Sequence, residues 1–377
     1  MQQTYRFSAP GRTELGGNHT DHQRGCVLAA AVDLETTAKV MLNGTDCIRV
    51  FSEGYAPVEV ELDDLRIRPG EENTTAALVR GVAAAFAQRG AQLRGFDAHV
   101  KSAVLPGSGL SSSAAFEVLM GTILNELFFD KSLAPAEIAR IGQYAENVYF
   151  GKPCGLMDQM ASAVGGMVFI DFEYPSCPIV ERIDFDMTAA GYALCIIDTG
   201  ADHADLTDEY AAIPGEMGQI CQYFGKSVLR EIERAAFFAA LPQLRGKVAD
   251  RAILRAIHFY NENDRVQQQA EALRCGDMDA FLELVKASGR SSWMYLQNIT
   301  PAGAVEQQAV AIALALCEEL LAGRGACRVH GGGFAGTVQA FVPLDLLNAF
   351  CSGVESVLGT GKCHVLSVRR AGGIRVE

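Results

Sequence analysis

Six hydrogen-bonding side chains crowd into eleven residues near the N-terminus: Arg12, Glu14, Asn18, His19, Asp21 and His22. They lie in Ala9–Gly25, APGRTELGGNHTDHQRG, just ahead of an apolar run, Cys26–Val32. Folding alone rarely requires so many polar groups on one turn. Such crowding suits a site for a polyhydroxylated ligand, where every buried hydroxyl needs a partner. A solvated, glycine-rich turn between two strands would also account for it. A second stretch, Pro106–Ala115, reads PGSGLSSSAA. Gly107 and Gly109 allow close approach of backbone to a ligand, and three serines follow where a helix is expected to begin. Unpaired N–H groups and the helix dipole favour an anion there, phosphate above all. A serine N-cap after a glycine turn gives the same pattern. No G-x-x-x-x-G-K-[ST] occurs, so no P-loop lysine is available. Near the C-terminus, Arg328–Gly336 reads RVHGGGFAG, and its three consecutive glycines permit a tight turn lying under a cleft.

These segments need a scaffold. Strands are expected over Thr36–Leu42, Cys47–Ser52, Val58–Leu62 and Phe96–Ala103, separated by Asn43–Gly44 and Gly54 turns and by a helix, Ala76–Arg89. The serines open a helix over Ser112–Phe129, and Pro135 starts another that runs to about Phe150. Gly166–Phe172 and Tyr192–Asp198 read as strands, with Pro175 and Pro178 marking a junction. The second half is richer in helix: Ser227–Leu241, Asp250–Cys275, Met278–Ala287 and Ala304–Ala322. Strands near Ala326–His330, Thr337–Val342 and Lys362–Val368 close the chain. Strands followed by helices in both halves imply an α+β fold of two domains sharing a cleft.

Composition narrows the function. The 377 residues suit two domains or one large one, and 49% are apolar, ample for a sizeable core. A net charge of −13 argues against nucleic acid or an anionic membrane as partner. Eleven cysteines with no C-x-x-C read as buried thiols of a reducing, cytoplasmic compartment rather than a disulfide framework. MQQTYRFSAPGR lacks a secretory signal, and Ala309–Leu316 is too short to span a membrane. His99, His203, His258 and His364 show no metal spacing.

Together, PGR near the N-terminus, GLSSSAA after a strand, and GGGFAG near the C-terminus resemble the GHMP small-molecule kinases. QYAENVYFGKPCGLMDQ, Gln143–Gln159, makes the chain most similar to the galactokinase family among them, and RAIHFYNENDRV, ending at Val266, matches a scaffold helix. The resemblance runs from Pro10 to about Pro343. It implies a GHMP fold, with an N-terminal α/β domain resembling ribosomal S5 domain 2 (1–185) and a ferredoxin-like α+β domain (186–377). The active site would lie between them. It also implies that Gly107, Ser108, Gly109, Leu110, Ser111, Ser112 and Ser113 wrap ATP, and that Ser113 and Glu146 hold Mg²⁺, which prefers hard oxygen ligands. Asp158 becomes the acid/base and Arg12 the cation that keeps it ionised and stabilises the transferring group. Asn18, His19, Asp21, Gly155 and Tyr210 would read the sugar.

The implied activity is ATP-dependent phosphorylation of galactose at C1 by a monomer. The family pattern at the opening segment is Gly-Arg-x-Asn-x-x-Gly-Glu-His-x-Asp-Tyr. Here Glu14 stands where Asn is usual, Asn18 where Glu is usual and His22 where Tyr is usual. A neutral Asn18 would tolerate galacturonate or L-arabinose, and N-acetylgalactosamine is a further rival. A compensated Glu/Asn exchange would leave galactose recognition intact. A non-catalytic galactose sensor is the rival of another class, but Ser111–Ala115, Arg12, Glu146 and Asp158 are all present. His330 and Ala335 also depart from the family's C-terminal motif, and the Trp293 segment lacks the acidic residues usual there.

Overall fold

The computed structural model describes residues 3–104, 109–152, 154–200 and 206–376. Two sheets organise them. The first has the order β12-β1-β2-β5-β3-β4, with β6 and β7 branching from β2. Its strands are β1 (Thr4–Gly16), β2 (Cys26–Leu42), β3 (Cys47–Ser52), β4 (Val58–Glu61), β5 (Phe96–Ser102), β6 (Met167–Asp171), β7 (Ile179–Ile183) and β12 (Ile374–Arg375). The second sheet is antiparallel, in the order β11-β8-β10-β9. It comprises β8 (Tyr192–Asp198), β9 (Ala326–His330), β10 (Thr337–Pro343) and β11 (Cys363–Leu366).

The apolar run Cys26–Val32 is the buried first half of β2, which lies between two cores. Val27 and Ala29 face a core built with helices Thr75–Gln88, Ser112–Phe128, Pro135–Tyr144 and Met157–Val164. Cys26, Leu28, Ala30 and Val32 face a second core shared with helices Asp250–Arg274 and Met278–Ser291 and with β8 and β10. A strand buried on both faces needs no polar alternation, which explains the run. Helices Ala309–Leu321 and Leu347–Leu358 cover the outer face of the second sheet.

Some expectations change. The opening segment is not one turn: β1 continues through Gly16 and pairs with β2 in two shifted registers, with breaks between Pro10 and Arg12 and between Glu14 and Gly16. Such bulges re-aim side chains. The expected helix Ser227–Leu241 is broken into a 3₁₀ turn at Leu229–Glu231 and short helices Arg234–Ala239 and Leu241–Leu244. Gln23 Oε1 accepts the Leu229 N–H (2.9 Å), and Leu229, Ile232 and Phe237 are buried in one core; these tertiary contacts override helical propensity. Helix Thr207–Tyr223 forms despite Pro214 inside it. β12 returns the last residues to β1, beside the N-terminal strand.

Candidate active site

The register of β1 shifts between Pro10 and Arg12, and Arg12, paired with Ala31 of β2, reaches the start of helix Met157–Val164. Its guanidinium grips Asp158 with both carboxylate oxygens, Nε–Oδ1 at 2.7 Å and Nη2–Oδ2 at 2.6 Å. Arg12 Nη1 also donates to the Gly109 carbonyl, and Arg12 N donates to Leu110 O at 2.9 Å. Asp158 sits in the first turn of its helix, where the dipole favours a carboxylate. Burial alone would push its carboxyl up, but the Arg12 charge and hydrogen bonds outweigh it and hold the group below the usual range. The nearby Ser111 hydroxyl lowers it further. Ser111, with φ of 55°, turns the chain into helix Ser112–Phe128. Gly107 and Ser108 lie outside the described residues.

Beside this turn is a cavity of about 470 Å³, lined by Ser112, Ser113 and Phe116 on one side and Ser52, Tyr55 and Leu78 on the other. Ser113 Oγ is 3.4 Å from Glu146 Oε1. Glu146 lies on a π-helical turn, Ala145–Phe150, that follows Pro135–Tyr144 without a break; such turns mark functional positions in helices. Its other oxygen accepts from Gln159 Nε2 (2.8 Å) and the Cys154 thiol (3.0 Å). Gln159 Nε2 also donates to Glu117 Oε2 at 2.9 Å, while Glu117 Oε1 is buried without a partner. Burial, and then the nearby Glu146, pushes the Glu117 carboxyl well above its ordinary value. The donors here are hard oxygens with a spare buried carboxylate, so the set fits Mg²⁺. Sequence reasoning missed Glu117. Its signal is an acid flanked by apolar residues, one turn beyond Ser113.

On the opposite side of Asp158, Asp21 begins a 3₁₀ turn and accepts from the His22 N–H at 2.8 Å. Its Oδ2 lies so close to Gly155 that any Cβ there would collide with it, so Gly155 is where backbone and carboxylate meet. Burial first, then the Asp158 charge, pushes the Asp21 carboxyl up to about 6. His19 Nε2 lies 3.1 Å from the Gly332 carbonyl, which can only accept, so Nε2 carries the proton. His19 Nδ1 then accepts from His22 Nε2 (3.4 Å), and His22 Nδ1 from Gln23 Nε2 (3.4 Å). Burial draws His19 down to about 4 and His22 down to about 3, so both are neutral imidazoles.

The glycine turn closes the floor. Tyr210 Oη donates to Gly333 O at 2.8 Å, and its ring meets Phe334 edge-on at 5.4 Å. Asn18 departs from its expected role as a sugar contact. It is fully buried, its amide N–H donating to Gly331 O (2.6 Å) and Glu14 Oε1 (3.4 Å) and its oxygen accepting from Asn298 (2.9 Å) and Ser292 (3.2 Å). A side chain so engaged struts the loop rather than facing the cleft. Glu14 is equally occupied, paired at 2.6 Å with the buried Arg328. His330 is neutral, drawn down by burial and then by Arg12, and it bridges Thr13 (3.0 Å) and Thr337 (2.9 Å) beneath the arginine. Arg328 and Asn298 were not singled out as site residues in the sequence, because their role exists only through long-range contacts. Among the described residues, no helix is long and apolar enough to cross a membrane.

Residues 77–166 match the family model for the GHMP kinases N terminal domain, and residues 2–41 match the galactokinase galactose-binding signature. The chain is 32% identical over 352 residues to a galactokinase of Streptomyces coelicolor, spanning 93% of this chain and 87% of that one. It superposes on a Lactococcus lactis galactokinase complexed with galactose with a TM-score of 0.83 and 26% identity, over 99% of this chain and 95% of the other. A mevalonate kinase shares the fold at 14% identity, with a TM-score of 0.69 over 97% and 99% of the two chains. The fold, the ordered motifs and the curated relative agree that this chain belongs to the galactokinase family of GHMP kinases.

Proposed function

We propose that this kinase transfers the γ-phosphoryl group of ATP to the C1 hydroxyl of galactose, giving α-D-galactose 1-phosphate and ADP. The observation that carries this reading is the Arg12–Asp158 ion pair, lying between the Gly109–Ser113 turn and the Asp21–Gly155 contact. Asp158 accepts the proton of the C1 hydroxyl as that oxygen bonds to the γ-phosphorus. The bond from phosphorus to the bridging oxygen breaks, and ADP leaves with its electron pair. Because Arg12 holds Asp158 ionised but weakly basic, the pair supports a proton transfer that accompanies phosphoryl transfer rather than preceding it, in keeping with a loose transition state. Ser113 and Glu146 would hold Mg²⁺, with Glu117 behind Glu146, and the bound ion would neutralise phosphate charge.

Asp21 would accept hydrogen bonds from the sugar hydroxyls, with His19, Gly155 and Tyr210 around it. Asn18 acts behind them. Its contact with Glu14 supports a compensated exchange of the two family residues, and hence galactose over a C6-altered sugar. Eleven free cysteines suit a reducing cytoplasm.

The test is Asp158→Ala. Turnover should fall about 10²–10⁴-fold while calorimetry shows galactose still bound. Near wild-type kcat would sink the assignment. A coupled ADP-release assay across galactose, galacturonate, L-arabinose and N-acetylgalactosamine should give galactose the highest kcat/KM; negligible turnover on galactose overturns the substrate.

A further inference from the structure

Three thiols converge away from the cleft, on the outer layer of the second sheet. Cys195 lies in β8, Cys363 in the adjacent β11, and Cys351 in helix Leu347–Leu358. Their Sγ atoms all lie within 4.8 Å of one another, and those of Cys351 and Cys363 are 3.5 Å apart. Cys195 is buried, whereas Cys351 and Cys363 are half-buried, which leaves a path from solvent. Among the described residues, no other three Cys, His or acidic side chains converge in this way.

The spacing suits a shared cation. Thiolates held at about 2.3 Å from one metal lie about 4.0 Å apart when trigonal and about 3.8 Å apart when tetrahedral. The 3.5 Å separation of Cys351 and Cys363 and the 4.8 Å limit on the other two lie close to these values, so small side-chain adjustments would suffice. Three soft donors without an oxygen select thiophilic ions over Mg²⁺. The ligands also come from three separate elements, so a bound ion would tie helix Leu347–Leu358 to both strands beneath it.

We propose that Cys195, Cys351 and Cys363 form a trithiolate site for a thiophilic d¹⁰ cation of the zinc class, with water completing the fourth position. The site is structural and separate from the kinase chemistry. To test it, the full chain is reduced with a phosphine, stripped with a chelator and titrated with Zn²⁺ and with Cd²⁺. One equivalent should bind per chain, with protons released as the thiols ionise and with Tm raised. Cys351→Ser and Cys363→Ser, made singly, should each weaken binding about 100-fold or more. Unloaded, both variants should keep kinase activity, which shows that they fold. Cys177→Ser and Cys275→Ser, at exposed thiols, should bind as the wild type does. Failure of the reduced wild type to take up one equivalent overturns the site, as does wild-type affinity in Cys351→Ser or Cys363→Ser.

Discussion

Two carboxylates in the cleft are driven in opposite directions. Arg12 holds Asp158 down, while burial and Asp158 itself push Asp21 up to about 6. The sign follows directly: above pH 6 Asp21 is ionised and able to accept sugar hydroxyls, and below it the group carries a proton. Galactose kcat/KM should therefore fall as pH drops through about 6, since that ratio reports the free enzyme. His19 and His22, at about 4 and 3, stay neutral over this range and cannot be the source. Asp21→Asn should flatten the limb as well as weaken sugar binding. A wild-type profile flat to pH 5 would refute the assignment. In the unliganded fold, ionising Asp21 costs stability as pH rises from the ordinary carboxylate range to 6, a cost that bound hydroxyls would offset.

Among the elements, the glycine turn after β9 does more than reverse the chain. Its carbonyls at Gly331, Gly332 and Gly333 accept from Asn18, His19 and Tyr210 in turn. Gly333 has φ of +80°, and a Cβ there would collide with the Asn298 backbone oxygen; Gly331 has φ of +65° with open space around it. Gly333→Ala should therefore cost about 1–3 kcal/mol and raise galactose KM more than Gly331→Ala, which bears only the left-handed penalty of about 1–2 kcal/mol. Thermal unfolding and KM measured side by side check this, and equal effects at both positions would contradict it. The glycine run and the opening segment were each legible in the sequence. Their mutual clamp was not, because the hydrogen bonds join residues about 313 positions apart.

Across the whole molecule, the two sheets meet at Glu14 and Arg328. The pair joins β1 to β9 with its charged ends almost fully buried, and Arg328 Nη2 donates to the Glu14 carbonyl as well at 2.8 Å. Removing one member leaves a charge without its counter-ion. Arg328→Met should destabilise the chain by about 3–5 kcal/mol in denaturant unfolding, and adding Glu14→Gln should recover part of the loss. A single-variant cost below about 1 kcal/mol would show that the junction does not depend on the pair. The sequence by itself determined the family, and it singled out Arg12, Glu146 and Asp158 as candidates, because each sits in a short motif whose spacing local backbone geometry preserves. Only the tertiary structure decided that β1 runs through the polar segment and shifts register between Pro10 and Arg12, that Glu117 stands behind Glu146, and that Asn18 is buried bracing the loop. These depend on groups far apart in the chain, whose burial and charge become defined only once the two sheets close on one another.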